Sequence, residues 1–121
     1  MSWVYEQSTG KLLKDDDYVA TGYAGKGEGK NNPDMQDVQA VGPLPRGWWT
    51  IGAPRDTPTH GPYVLTLTPD EDTETYGRSG FLMHGDSVSD PGNASLGCII
   101  QARKIRERVW TSGDHRLEVV A

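Results

Sequence analysis

The chain has one cysteine among 121 residues, and that scarcity excludes an internal disulfide. Cys98 is left as a buried small hydrophobe, a reactive thiol or a ligand. Nowhere does the sequence approach the roughly 20 apolar residues that a membrane-spanning helix requires, so no membrane span is expected. Long runs of apolar residues at helical spacing are also missing, which argues against a helical bundle. Positive charge is outweighed, with 12 Lys and Arg against 17 Asp and Glu, for a net charge of −5. A phosphate-binding face is basic, so nucleic acid is excluded as the expected partner. The opening Met1-Ser2-Trp3-Val4-Tyr5-Glu6 has no basic segment followed by an apolar core, and no secretory signal is read there. Internal repeats and low-complexity tails are absent too.

What is plentiful is Gly, Pro, Thr and Asp, the composition of short strands joined by turns. Trp3–Gln7 and Lys11–Leu13 read as strands around a Ser8-Thr9-Gly10 turn, and Tyr18–Ala20 as a further strand. Residues 22–37 read as a polar loop. Pro43–Gly47 is a turn launching the strand Trp48–Ile51, in which one tryptophan faces the core. Tyr63–Thr68 alternates as a half-buried strand does, and Pro69–Glu74 is an acidic loop. Phe81–Met83 is a short apolar strand ending at His84. After Cys98-Ile99-Ile100, the spacing of Ala102, Ile105 and Val109 predicts one short helix, with Arg103, Arg106, Glu107 and Arg108 off its apolar face. Ser112-Gly113 stops it, and Leu117–Val120 is a closing strand. One mainly β domain over residues 1–121 is expected.

Two local patterns fail as motifs. Gly25-Lys26-Gly27-Glu28-Gly29-Lys30 has three residues between its outer glycines instead of the four of a phosphate loop, and Asn31 replaces the Ser or Thr that would hold magnesium. Asp70-x-Asp72-x-Glu74 has Thr75 where a calcium loop needs Gly.

The pattern that carries chemistry is Phe81-Leu82-Met83-His84-Gly85-Asp86 followed by Ala94-Ser95-Leu96-Gly97-Cys98-Ile99. A strand delivers an imidazole at its end, and a polar loop returns to a cysteine at the mouth of another apolar segment. A thiol is only slightly ionised near neutral pH, so a nearby imidazole that takes its proton makes it a nucleophile. Gly97 lets a substrate carbonyl approach the backbone, whose N–H groups would stabilise an oxyanion. Singly, each residue is more often structural; together, with glycine beside both, they favour catalysis.

His-Gly, a loop and Ser-x-Gly-Cys-Ile resemble the signature of the YkuD-like L,D-transpeptidases. Residues 25–52 and 77–86 are similar to a compact branch of that superfamily, found in phage and Gram-negative genomes, some of whose members are antibacterial effectors of type VI secretion. The resemblance implies an L,D-transpeptidase-like β-sandwich or barrel with its short helix after the cysteine. It implies Cys98 as nucleophile, His84 as general base, Gly97 and Cys98 as backbone of the oxyanion site, and Ser95 as a hydrogen-bonding support. Leu96 and Ile100 stand where the larger family often has His and Arg, so the group that binds the substrate carboxylate is unassigned. Arg78 and Arg103 are the candidates, with His60 and Asp86 as further contacts at the rim. The implied partner is the peptidoglycan stem peptide, cleaved before its terminal D-alanine through a thioester, with no cofactor and no metal.

The implied place of action is the periplasm and cell wall, reached by a secretion system or a phage route, with an immunity or secretion-apparatus protein as a second partner and a monomer as the working form. Two rivals remain: a zinc-dependent hydrolase using His84, Asp86, Cys98 and His60, and a non-catalytic wall-binding module.

Overall fold

A computed structural model describes residues 2–121; Met1, the first residue of the expected domain and of the opening segment, lies outside them. The described chain forms β1 (Trp3–Glu6), β2 (Lys11–Lys14), β3 (Asp17–Thr21), β4 (Gly47–Thr57), β5 (Gly61–Pro69), β6 (Leu82–His84), β7 (Ile99–Ile100), α1 (Arg103–Thr111) and β8 (Arg116–Val120). All eight strands join one mixed sheet in the order β3-β2-β1-β8-β4-β5-β6-β7. The protein is mainly β, with its one α-helix following Cys98, as the sequence leads one to expect.

Alternation decides which side of the sheet is dry. Trp3 and Tyr5 of β1 lie beside Leu117 and Val119 of β8, and Trp49 of β4 also pairs with Leu117. Ile51 lies opposite Leu67, Leu65 opposite Met83, and Met83 beside Ile99. These residues face one way and form the main core, to which α1 adds Val109. Trp49 packs edge-on against Phe81 at 5.2 Å, while Trp48 faces outward under the guanidinium of Arg116.

Three local expectations need correction. The strand from Trp48 runs on to Thr57, because the breaks in register between Ile51 and Pro54 and between Arg55 and Thr57 bend it and accommodate the proline that would otherwise end it. The 22–37 segment contains two short 3₁₀ turns, Gly27–Gly29 and Pro33–Met35, the second capped by Asn32. Arg106 does not lie off the buried face of α1. It follows Ile105 and lies three residues before Val109, on the inward stripe, and it is 4% exposed, whereas Ala102, expected on that stripe, is the exposed N-cap. Burial is possible because its guanidinium donates to the carbonyls of Tyr63, Gln101 and Pro62.

Candidate active site

The site lies on the reverse face of the sheet from the main core. Parallel pairing of β6 with β7 sets Met83 beside Ile99 and His84 beside Ile100. Side chains alternate, so Met83 and Ile99 enter the core while Leu82, His84 and Cys98 share the other face. There Cys98 packs with Val64 and Leu82 in a small apolar cluster and is 9% exposed. Cys98 and His84 line one cavity of about 260 Å³, walled further by Gln39, Ala40, Phe81 and Leu96. Two segments far apart in sequence are thus brought to one concave surface by strand register alone.

The thiol is held by the backbone. Its sulfur accepts the N–H of Leu82 at 3.3 Å and contacts the carbonyl of Gly80 at 3.8 Å. Burial pushes the thiol up; the N–H groups of Leu82 and of Cys98 itself and the charge of Arg78 pull against it without prevailing. The imidazole of His84 is held at its other end, with Nδ1 2.9 Å from the carbonyl of Gly85. A carbonyl only accepts, so in the neutral ring Nδ1 carries the proton and Nε2 keeps its lone pair. Among the described residues the sulfur forms no direct hydrogen bond with the ring. The resting pair is a neutral thiol and a neutral base across a shared cavity.

Burial is the main force pushing His84 below the ordinary histidine range. The Gly85 bond opposes it, the charges of His60 and Arg106 add to it, and Asp86 pulls weakly back. This fixes a sign for stability. Below about pH 6.5 the unfolded chain protonates His84 before the folded one does, so this contribution is complete above that pH and is lost as pH falls through the folded value. Thermal midpoints measured from pH 7.5 down to 5 are therefore expected to fall. In His84→Gln the same series should be flatter.

Ser95 and Gly97 shape the turn before Cys98. Ser95 Oγ donates to the carbonyl of Cys98 at 2.6 Å and accepts the N–H groups of Gly25 (2.8 Å) and Gly97 (3.1 Å). The N–H of Gly97 is thus taken up within the turn by Ser95. The N–H of Cys98 acts on its own sulfur and helps to pull the thiol down. Gly97 is required for another reason. Its φ is +136°, and a Cβ there would meet Nη2 of Arg78 at 2.5 Å and the ring of Phe81 at 3.0 Å.

Neither arginine stands free to receive a carboxylate. Arg78 lines the cavity but is 5% exposed, and its Nη atoms donate to the carbonyls of Gln36, Gly42, Pro43 and Leu96. An extended guanidinium matches several acceptors at once, and here these are the backbone of two loops. Arg103 lies on the outer side of α1, paired with Glu107 at 3.1 Å and stacked over Tyr63, away from the cavity walls.

Asp86 is likewise occupied. It accepts the hydroxyl of Tyr23 at 2.5 Å and the N–H groups of Ser87 and Gly92. Burial pushes its carboxyl up, but these bonds together outweigh burial and hold it below the usual range. Its work is to fold the loop after His84. His60, by contrast, comes to the site: its ring lies 4.6 Å from that of His84, and it borders both the thiol cavity and a neighbouring one beyond the imidazole.

Reading the sequence missed Tyr23 and Arg106. Tyr23 bridges to Ile100, accepts the N–H of Ala94 and donates to Asp86, tying the loop between the two candidate catalytic residues to the sheet edge. Nothing local marks that role. Arg106 was detectable, since its spacing of three from Val109 and its place next to Ile105 put it near the apolar stripe. Among the described residues no three His, Cys, Asp or Glu side chains converge as metal ligands would.

No curated protein and no solved structure matches the chain. The family model of the Tlde1 domain matches residues 18–121, and by that match over most of its length the protein belongs to the Tlde1 domain family.

Proposed function

We propose that the chain is a single-domain cysteine enzyme of peptidoglycan, cleaving the L,D bond before the terminal D-alanine of tetrapeptide stems. The observation that carries this reading is the pairing of Cys98 and His84 on one face of two adjacent parallel strands, in one cavity, with Nδ1 of the imidazole engaged and Nε2 free. Nε2 takes the thiol proton as sulfur attacks the carbonyl carbon. The oxyanion forms beside the N–H of Cys98. Collapse of the tetrahedral intermediate expels D-alanine, whose nitrogen receives the proton from the imidazolium, and an acyl thioester remains. Water then gives a carboxypeptidase, a free D-amino acid gives exchange, and a stem amine gives a crosslink.

Arg78 contributes its charge to the cavity wall, where the terminal carboxylate would lie, while its N–H groups hold the loops. A zinc hydrolase would need His84, Asp86, Cys98 and His60 to converge, and Asp86 is turned to Tyr23 and the backbone instead. A wall-binding module has no use for an imidazole with one nitrogen held that shares a cavity with a thiol. Membership of the Tlde1 family supports delivery as an antibacterial effector of type VI secretion, acting in the periplasm of the recipient and paired with an immunity protein in the producer.

Digestion of purified muropeptides, followed by mass spectrometry, tests the reaction. Tetrapeptide stems are expected to yield tripeptides and, with added D-amino acid, exchanged termini, at rates at least equal to crosslinking. Pentapeptide stems should be left intact, because one further D-alanine displaces the carboxylate from its place beside the Arg78 charge. Cleavage confined to the glycan, to the lactyl amide or to pentapeptides would show the substrate to be wrong even with Cys98 essential.

A further inference from the structure

The imidazole of His84 hangs on a single hydrogen bond, to the carbonyl of the next residue. One bond fixes one ring nitrogen but not the ring plane, so the packing around this ring, which is 4% exposed, must set where Nε2 points. The groups facing the ring come from four directions: Arg106 from α1, Asp86 from the following loop, Cys98 from the mouth of β7, and His60 from the turn between β4 and β5. Arg106 and Asp86 are tied to other partners, and the thiol faces the Leu82 N–H and the Gly80 carbonyl. Only His60 lays a ring against the ring, with centroids 4.6 Å apart and planes inclined by 56°.

His60 is well placed for this. Its Nδ1 lies 2.9 Å from Thr59 Oγ1, and its N–H donates to Thr57 Oγ1 at 2.8 Å. The same turn is braced by Tyr63 N–H on Asp56, and Gly61, at φ +84°, supplies the left-handed bend that follows. An exposed side chain on a turn would ordinarily be mobile; this one is bonded at backbone and ring. It also forms the shared wall of the two cavities that meet at His84.

We propose that His60 is a positioning residue for His84, packing against its ring so that Nε2 stays aimed into the thiol cavity. The inference rests on the reading of Cys98 and His84 as a nucleophile and its base. His60 touches the base and not the reacting carbonyl, and it acts through His84. Its second effect is electrostatic, because charge on His60 adds to the burial that holds His84 below the ordinary range.

The test needs no peptidoglycan. The rate of Cys98 alkylation by iodoacetamide is measured against pH for the intact chain and for His60→Ala, His60→Phe and His84→Ala, each checked for folding by circular dichroism. In the parent the rate should rise through the His84 titration to a plateau, and His84→Ala should remove that step. His60→Phe keeps an aromatic ring against the imidazole without its charge. Its plateau should stay within about twofold of the parent while the acid limb moves to higher pH. His60→Ala should show the same displaced limb with a plateau at least about fivefold lower. A His60→Ala profile superimposable on the parent, with His84→Ala altered, would overturn this inference alone. A His84→Ala profile identical to the parent would overturn the nucleophile–base reading and this inference with it.

Discussion

Cys98→Ala is expected to abolish peptidoglycan turnover while leaving the protein folded. The two halves of that result have separate physical causes. Without sulfur no thioester forms, and removal of a covalent nucleophile typically costs about four orders of magnitude or more in rate, since the remaining groups stabilise only what the nucleophile creates. The fold, in contrast, asks little of this side chain. Cys98 sits with Val64 and Leu82 in a satellite cluster on the reverse face, outside the main core. Its loss removes one sulfur atom and one N–H···S contact, for a cost of about 1 kcal/mol. Activity is read on muropeptides and stability by thermal unfolding. Parental turnover in the variant would end the cysteine mechanism.

The largest expected loss of stability comes from Arg78→Met, at about 3–4 kcal/mol, through four carbonyls left without donors inside the protein. Hydrogen bonds from a charged donor are worth roughly 1.5–3 kcal/mol each but do not add when one group makes them all. For a chain of this size such a loss lowers the thermal midpoint by about 10–20 °C. Arg78→Lys should recover little, because a point ammonium cannot span the carbonyls of Gln36, Gly42, Pro43 and Leu96 together. Activity should fall along with stability, since the loop carrying Leu96 and Gly97 leads directly into Cys98. A midpoint within 3 °C of the parent would show that the loops around Gln36 and Leu96 hold without the guanidinium.

How much of this was legible follows from the range of the forces involved. Alternation in Tyr63–Thr68 and the spacing of Ala102, Ile105 and Val109 are local, so the strand and the helix could be read directly. The positions of His84 at a strand end and Cys98 after a tight turn were legible because glycine and apolar neighbours mark both. The roles of the arginines were not. Whether a guanidinium meets solvent, a ligand or the backbone depends on carbonyls supplied from more than 30 residues away, as Gln36, Gly42 and Pro43 supply them to Arg78. His60 shows the same limit from the other side. Its neighbours on the chain describe a turn, and its contact with His84 comes only from the pairing of β5 with β6.

The place of β8 in the sheet has a kinetic consequence. This strand is the last of the eight in sequence, yet it lies between β1 and β4, and β1 pairs only with β2 and β8. Without residues 116–120 no strand joins β3-β2-β1 to β4-β5-β6-β7, and the candidate site lies on the second group. Joining them closes a loop that runs from Trp3 to Leu117, and contacts of such long sequence separation form slowly. Assembly of the full sheet, and with it the setting of the candidate site, therefore waits on residues 116–120.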